Sequence, residues 1–347
     1  MSKQHITLPV GVTVRDHYGA HYTIEGLIGT GEFGAIYLVR DRRFSRQLFV
    51  LKEVIDPGPQ ERERFTFEGK ILIRLSHPAL PRVHRVFEHK KLRRVYLVMD
   101  YIEGRDLEAL RREQAEQRFP FSLALPLLAP IADALGYLHR KEPPVVHRDV
   151  RPANIIVPAG TNRTMLVNFG IAKQHIAGQT TAVIRRGTPG YAAPEQYTSG
   201  TSAQTDIYGL GATLYTLLTG TIPPDAISRA VRSQGFDPLK PAHLLLPELP
   251  GDISEAIGRA MTLSAAERFA TIEEFWRILA GHGGQQPMQI PRILAATTLQ
   301  LHSGQGDSYT PPVSLPYPRQ ARKGKGRAPI WNKMRVLSHR IFRLFSS

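Results

Sequence analysis

Apolar positions follow two different periods along the chain. From Tyr22 to about Tyr101 they gather in short runs (HYTIEGLIG, AIYLVRD, LFVLKEV, RVYLVMDYI) whose length and β-branched content predict strands. One stretch between them, Glu61 to Leu75, places Phe65, Ile71, Leu72 and Leu75 roughly at helical spacing, so a small sheet with one helix is expected. From Asp106 to about Leu279 the helical period dominates, most clearly in SLALPLLAPIADALGYLHR and DIYGLGATLYTLLTG, with short strands at VVHRD, NIIV and TMLVNFG. The expected fold class is therefore α+β in two lobes. The small lobe spans about 22–101 and the large, mainly helical lobe about 104–282, with residues 1–21 as a lead-in. Past Gly281 the composition turns to Gly, Gln, Pro, Ser and Thr, and residues 283–328 are expected to form a flexible linker. No internal repeat of fixed period supports a solenoid or propeller.

Composition changes this picture in two places. The absence of cysteine excludes disulfides, thiolate metal sites and a cysteine nucleophile. The formal charge of +15 raises nucleic acid or an anionic membrane as partners, but nine Lys or Arg residues lie between Arg319 and Ser347, and the last acidic residue is Asp307. The charge thus concentrates outside the expected globular body. Residues 329–347 place Trp331, Met334, Leu337, Ile341, Leu344 and Phe345 among Lys333, Arg335, Arg340 and Arg343. That pattern fits a basic amphipathic helix on an anionic membrane surface; an acidic protein, nucleic acid or plain disorder are the alternatives. Nucleic acid is not expected to bind the body, which shows no basic-aromatic platform. Neither a secretory signal nor a run of eighteen apolar residues is present, so no membrane span is expected.

Three motifs carry chemistry. Gly29-Thr30-Gly31-Glu32-Phe33-Gly34-Ala35-Ile36 lies between two expected strands, where glycines allow a hairpin backbone to approach phosphates; a tight hairpin without a ligand would use the same residues. The strand context argues against a dinucleotide site, which needs a strand-to-helix turn. Lys52 stands in an apolar strand and needs a partner, for which Glu68 on the single small-lobe helix is the candidate; two solvated charges are the alternative. In His147-Arg148-Asp149-Val150-Arg151-Pro152-Ala153-Asn154, Asp149 is suited to orient a substrate hydroxyl and Asn154 to offer an oxygen to magnesium.

In this order the motifs resemble those of the protein kinase family, in particular the eukaryotic-like serine/threonine kinases of bacteria, over about residues 22 to 282. Asn168-Phe169-Gly170 stands where that family usually has Asp-Phe-Gly, Gly187 to Glu195 matches the end of the activation segment, and Asp206-Ile-Tyr-Gly matches the central helix. The resemblance implies ATP with magnesium, manganese being an alternative ion, and a protein substrate or signalling partner. It implies that Gly29, Gly31, Gly34 and Ile36 cover the nucleotide, that Lys52 and Glu68 position its phosphates, and that Asn154 and Asn168 hold the metal. Met99 would guard the adenine pocket, with Asp100, Tyr101 and Ile102 as the hinge. Leu72, His147 and Phe169 would join the lobes, Asp206 would brace the catalytic loop, and Glu195 would pair with Arg268. Thr188 belongs to the end of the activation segment, with a structural or regulatory role. A phosphate on Thr180 or Thr181 could pair with Arg148; loop threonines without such a role are the alternative. The implied location is cytoplasmic, with the tail peripheral at the inner membrane face.

Three residues depart from the family pattern. Asn168 keeps a ligand oxygen but loses a charge, Arg151 replaces a lysine that faces the transferred phosphoryl group, and Glu32 brings an acid to the tip of the glycine hairpin. Two functions follow: a serine/threonine kinase of reduced activity, or a nucleotide-binding pseudokinase acting as a scaffold.

Overall fold

The structure is a computed structural model that describes residues 7–31, 34–44, 47–161, 163–168, 187–198, 200–232 and 237–282. Glu32, Phe169, Thr180, Thr181 and the segment 283–347 lie outside the described residues. The chain divides into two compact units, Met1–Thr297 and Thr298–Ser347, and only the first contains described residues.

The small lobe is a six-stranded antiparallel sheet. In chain order its elements are β1 (Thr13–Arg15), β2 (His21–Gly31), β3 (Gly34–Asp41), β4 (Leu48–Ile55), α1 (Pro59–Ile73), β5 (Val83–His89) and β6 (Arg94–Asp100). Spatially the strands run β1-β2-β3-β4-β6-β5. Strict alternation along β3 and most of β4 gives the sheet two faces. Tyr37, Val39, Phe49 and Leu51 face outward into a separate apolar cluster with Tyr22, Ile24, Phe87, Tyr96 and Val98. Lys52 faces the other way, toward α1.

Two strands depart from expectation. The described part of the expected lead-in, residues 7–21, joins the small lobe: Val14 pairs with Tyr22, and Val14 and Ala20 are buried in the outer cluster. Asp16 closes the intervening turn by accepting from the N–H groups of Tyr18 at 2.9 Å and Ala20 at 2.8 Å. β5 escapes a period-two reading because an irregularity between Val83 and Arg85 shifts its register against β6.

The large lobe follows as β7 (Gly104–Asp106), α2 (Leu107–Arg112), α3 (Phe121–His139), β8 (Ile155–Pro158), β9 (Met165–Leu166), α4 (Ala203–Thr219), α5 (Ala226–Arg232), α6 (Ala242–Leu245), α7 (Gly251–Ala260) and α8 (Ile272–His282). β7, β8 and β9 form a small antiparallel sheet. Every residue of α4 from Thr205 to Leu218 is buried, which is why DIYGLGATLYTLLTG is apolar on all sides. The buried hydroxyls of Thr213 and Thr216 are satisfied by the carbonyls of Gly209 and Ala212, at 2.8 and 2.9 Å. Among the described residues α3 alone is long and apolar enough to cross a membrane; its Leu127, Leu128, Ile131 and Leu135 are fully buried in the lobe core. That core extends into the small lobe through Leu72, Leu75, Val83 and Met99, so the lobes share one apolar cluster.

Candidate active site

Two glycines bring β3, β4, β5 and α1 into close contact. A methyl group at position 34 would stand 1.8 Å from the carbonyl oxygen of Glu53, so Gly34 is required by close approach of β3 to β4. A Cβ at Gly29, by contrast, would meet nothing within 4 Å. Gly69 plays the matching part in α1, where a Cβ would meet the side chain of Val86 at 2.7 Å. The helix therefore lies close on β5, and Lys52 and the buried Glu68 line one small cavity with Phe65, Leu72 and Leu97. Ile36 stands opposite Lys52 in the β3–β4 register.

At the edge of the sheet, Met99 is buried and Asp100 is committed to internal bonds. The Asp100 N–H donates to the carbonyl of Arg82 at 3.0 Å. Its carboxylate accepts from the Arg82 N–H at 3.0 Å and meets His84 Nε2 at 2.6 Å. Asp100 is therefore held to Arg82 and to His84 of β5, and its own N–H is already committed to the Arg82 carbonyl.

The loop His147–Asn154 is held from below by Asp206. That carboxylate, fully buried, accepts from the N–H groups of His147 and Arg148, both at 2.7 Å, and meets His139 Nε2 at 2.9 Å. These bonds hold Arg148 at φ 70, a conformation unfavourable for a side chain of its size. Burial alone would raise the Asp206 pKa, but His139, His147 and the Arg148 N–H outweigh it and hold the carboxyl below its ordinary value. For His147 burial dominates over the attraction of Asp206 and Asp149, and its pKa is lowered. Both shifts act in one direction. As pH falls below the ordinary histidine value of 6.5, an unfolded chain takes up a proton that the buried His147 refuses, so stability declines. Asp206 contributes stability above 3.8 that is lost as pH falls through its lower folded pKa. The urea midpoint should accordingly drop between about pH 7.5 and about pH 5.5, and an unchanged midpoint would contradict a neutral, buried His147.

The loop's upper surface carries the reactive constellation. Asn154 Nδ2 donates to both the main-chain oxygen and Oδ2 of Asp149, each at 2.7 Å. Thr188 Oγ1 donates to Asp149 Oδ1 at 2.9 Å, and Arg151 Nε lies 3.3 Å from the same oxygen. Asn154 Oδ1 accepts from Asn168 Nδ2 at 3.2 Å, with Asn168 at φ 59, a left-handed position that asparagine tolerates. The expected metal ligands are therefore adjacent. As a donor set they are two neutral amide oxygens, suited in type to magnesium but supplying none of its usual carboxylate charge. Asn154 Oδ1, with Asn168 Oδ1 after a turn of its amide, would hold the ion.

Glu195 and Arg268 meet as expected, with Nη1–Oε1 at 2.7 Å and Nη2–Oε2 at 3.0 Å. Sequence reasoning missed His139 and Gln196. Gln196 Nε2 donates to the carbonyl of Arg148 at 2.8 Å and its Oε1 accepts from Ala193 N–H at 3.0 Å, fastening the segment after Gly187 to the His147–Asn154 loop. The adjacent Glu195 gave no hint that its neighbour was also structural.

A two-lobed cleft with a glycine hairpin, a buried Lys/Glu cavity and a braced His-Arg-Asp loop defines the kinase class. Residues 22–241 match the protein kinase domain, and the chain belongs to the protein kinase family. It is 29% identical over 326 residues to the serine/threonine-protein kinase PknB of Mycobacterium tuberculosis, covering 89% of this chain and 50% of that protein. It is 32% identical over 273 residues to PknF of the same organism, covering 76% of this chain and 56% of that protein. The crystal structure of the M. tuberculosis PknI kinase domain superposes with a TM-score of 0.61 at 27% identity, over 79% of this chain and 99% of that one. The chain spans about half the length of the curated relatives it matches.

Proposed function

We propose that this chain binds ATP with magnesium and transfers the γ-phosphate to serine or threonine hydroxyls of a protein partner, slowly because of Asn168. The observation that carries this reading is the Asp149 carboxylate, oriented by Asn154 and Thr188 on a loop that Asp206 pins through two main-chain N–H groups. A carboxylate so fixed can accept the hydrogen bond of an incoming hydroxyl and take its proton as the oxygen's electron pair attacks the γ-phosphorus. The bond between that phosphorus and the β–γ bridging oxygen breaks, and ADP carries away the electron pair. Lys52 draws the α- and β-phosphates to the cleft, and Arg151 places a cation beside the transferred group. When bound, magnesium would neutralise charge on the β- and γ-phosphates.

The second reading, a nucleotide-binding pseudokinase, is favoured by the Asn168–Asn154 bond, in which one amide donates to the other where an aspartate would set two acceptors side by side. Transfer from γ-labelled ATP to the chain itself and to a generic basic protein separates the two. Label incorporation that Asp149→Ala reduces by at least about a hundredfold is expected for the enzyme. Nucleotide binding without any Asp149-dependent transfer would leave the pseudokinase.

A further inference from the structure

Strand β4 places Lys52 in the cleft, and the next residue is unusual for where it stands. Glu53 is 1% exposed, on the outer face of the sheet among Tyr37, Leu51, Phe87 and Tyr96, where an ionised carboxylate is costly unless both oxygens are satisfied. Both are. Oε2 accepts from the Tyr37 hydroxyl at 2.8 Å, and Oε1 accepts from Arg94 Nη1 at 2.5 Å. The Tyr37 oxygen in turn accepts from the N–H of Leu8 at 2.9 Å. Burial, opposed by the Leu8 N–H and assisted by Glu53, pushes the Tyr37 hydroxyl up to about 12, so it remains a donor at neutral pH.

This network ties β3, β4 and β6 together at one level of the sheet. Glu53 pairs with Ala35 and Tyr96, and Lys52 one step along pairs with Ile36 and Leu97. The carbonyl of Glu53 is also the atom against which Gly34 packs. One residue therefore has its side chain anchored on the outer face, its carbonyl pressed under the glycine hairpin, and Lys52 as its immediate neighbour. A strand free to shift here would change both the height of Lys52 and its distance from the hairpin.

We propose that Glu53, held by Tyr37 and Arg94, is a positioning residue for nucleotide binding: it fixes β4 so that Lys52 and the glycine hairpin keep their spacing around the phosphates. The proposal rests on the nucleotide-binding reading above. Its test is a mutant cycle on the full chain, with ATP affinity measured by displacement of a fluorescent ATP analogue, so that it does not depend on catalysis. Glu53→Gln should weaken ATP binding about tenfold and Tyr37→Phe about threefold, the size of coupling seen within one polar network. In a Lys52→Met background each should change affinity by less than about twofold, because the residue through which they act is gone. Unchanged affinity when Lys52 is intact, or equal losses with and without Lys52, would overturn the proposal, since general loosening of the sheet would not depend on Lys52. Should Glu53→Gln not fold, Tyr37→Phe removes only one hydroxyl and completes the cycle. Failure of the unmodified chain to bind the analogue would remove the nucleotide reading and this proposal together, whereas the other outcomes remove this proposal alone.

Discussion

Asn168→Asp is expected to raise phosphoryl transfer by roughly a thousandfold in the presence of magnesium. A unit charge about 4 Å from the metal is worth roughly 4 kcal/mol at an effective dielectric near 20, and each 1.36 kcal/mol off the barrier is about tenfold in rate. The structure adds a second reason. In the natural chain Asn168 donates to Asn154 Oδ1, so an arriving ion must first break that bond to reach the Asn154 oxygen. An aspartate at 168 cannot donate; it would place a carboxylate against the Asn154 oxygen, and the two acceptors would then draw a cation between them. The variant should therefore also gain metal dependence in binding. Chelation with EDTA should weaken its ATP affinity more than that of the natural chain. Single-turnover rates and nucleotide titrations with and without magnesium measure both effects. Rates within about threefold of each other would show that the missing charge is not what limits the site.

Arg268→Ala should cost roughly 3–5 kcal/mol of stability, the range for removing one partner of a buried ion pair. The Arg268 side chain has no exposed surface and that of Glu195 is 13% exposed. Beyond the two bonds to Glu195, Arg268 donates to the carbonyls of Thr262 at 2.8 Å, Gln204 at 3.0 Å and Leu263 at 3.1 Å, and its guanidinium lies 5.0 Å from the Tyr208 ring centroid. Truncation strands a carboxylate and three acceptors in one step. At about 2–4 °C per kcal/mol for a domain of this size, the midpoint of thermal unfolding should fall by roughly 10 °C. Combining Arg268→Met with Glu195→Leu should recover much of the loss, because the abandoned charge goes with its partner. If the single and double variants melted together, the penalty would lie in the lost carbonyl contacts and not in the stranded carboxylate.

Much of this site could be seen in the sequence because its parts are local. Asp149 and Asn154 sit five residues apart on one loop, and α3 and α4 announce themselves by unbroken apolar faces. What stayed hidden depends on partners far along the chain. His139 reaches Asp206 across 67 positions, and Gln196 reaches Arg148 across 48, with nothing in either neighbourhood to mark them. The bonds of Asp100 to Arg82 and His84 require β5, whose irregular register conceals the strand itself. Nor does a glycine-rich hairpin announce that a side chain at Gly34 would collide with the neighbouring strand at the carbonyl of Glu53.

The outer apolar cluster has a consequence for where this protein begins as a folding unit. Recognisable kinase sequence starts at Tyr22, yet Leu8, Val14 and Ala20 all pack against that cluster, and β1 covers the open edge of β2. A fragment trimmed to the recognisable segment would expose a row of unpaired main-chain groups beside bared tyrosine and isoleucine side chains, the kind of edge on which chains adhere to one another. It would also lose the Leu8 N–H that reaches Tyr37. The boundary that matters for making a soluble, well-behaved fragment is thus set by the cover on the back of the sheet, upstream of the first residue that looks like a kinase.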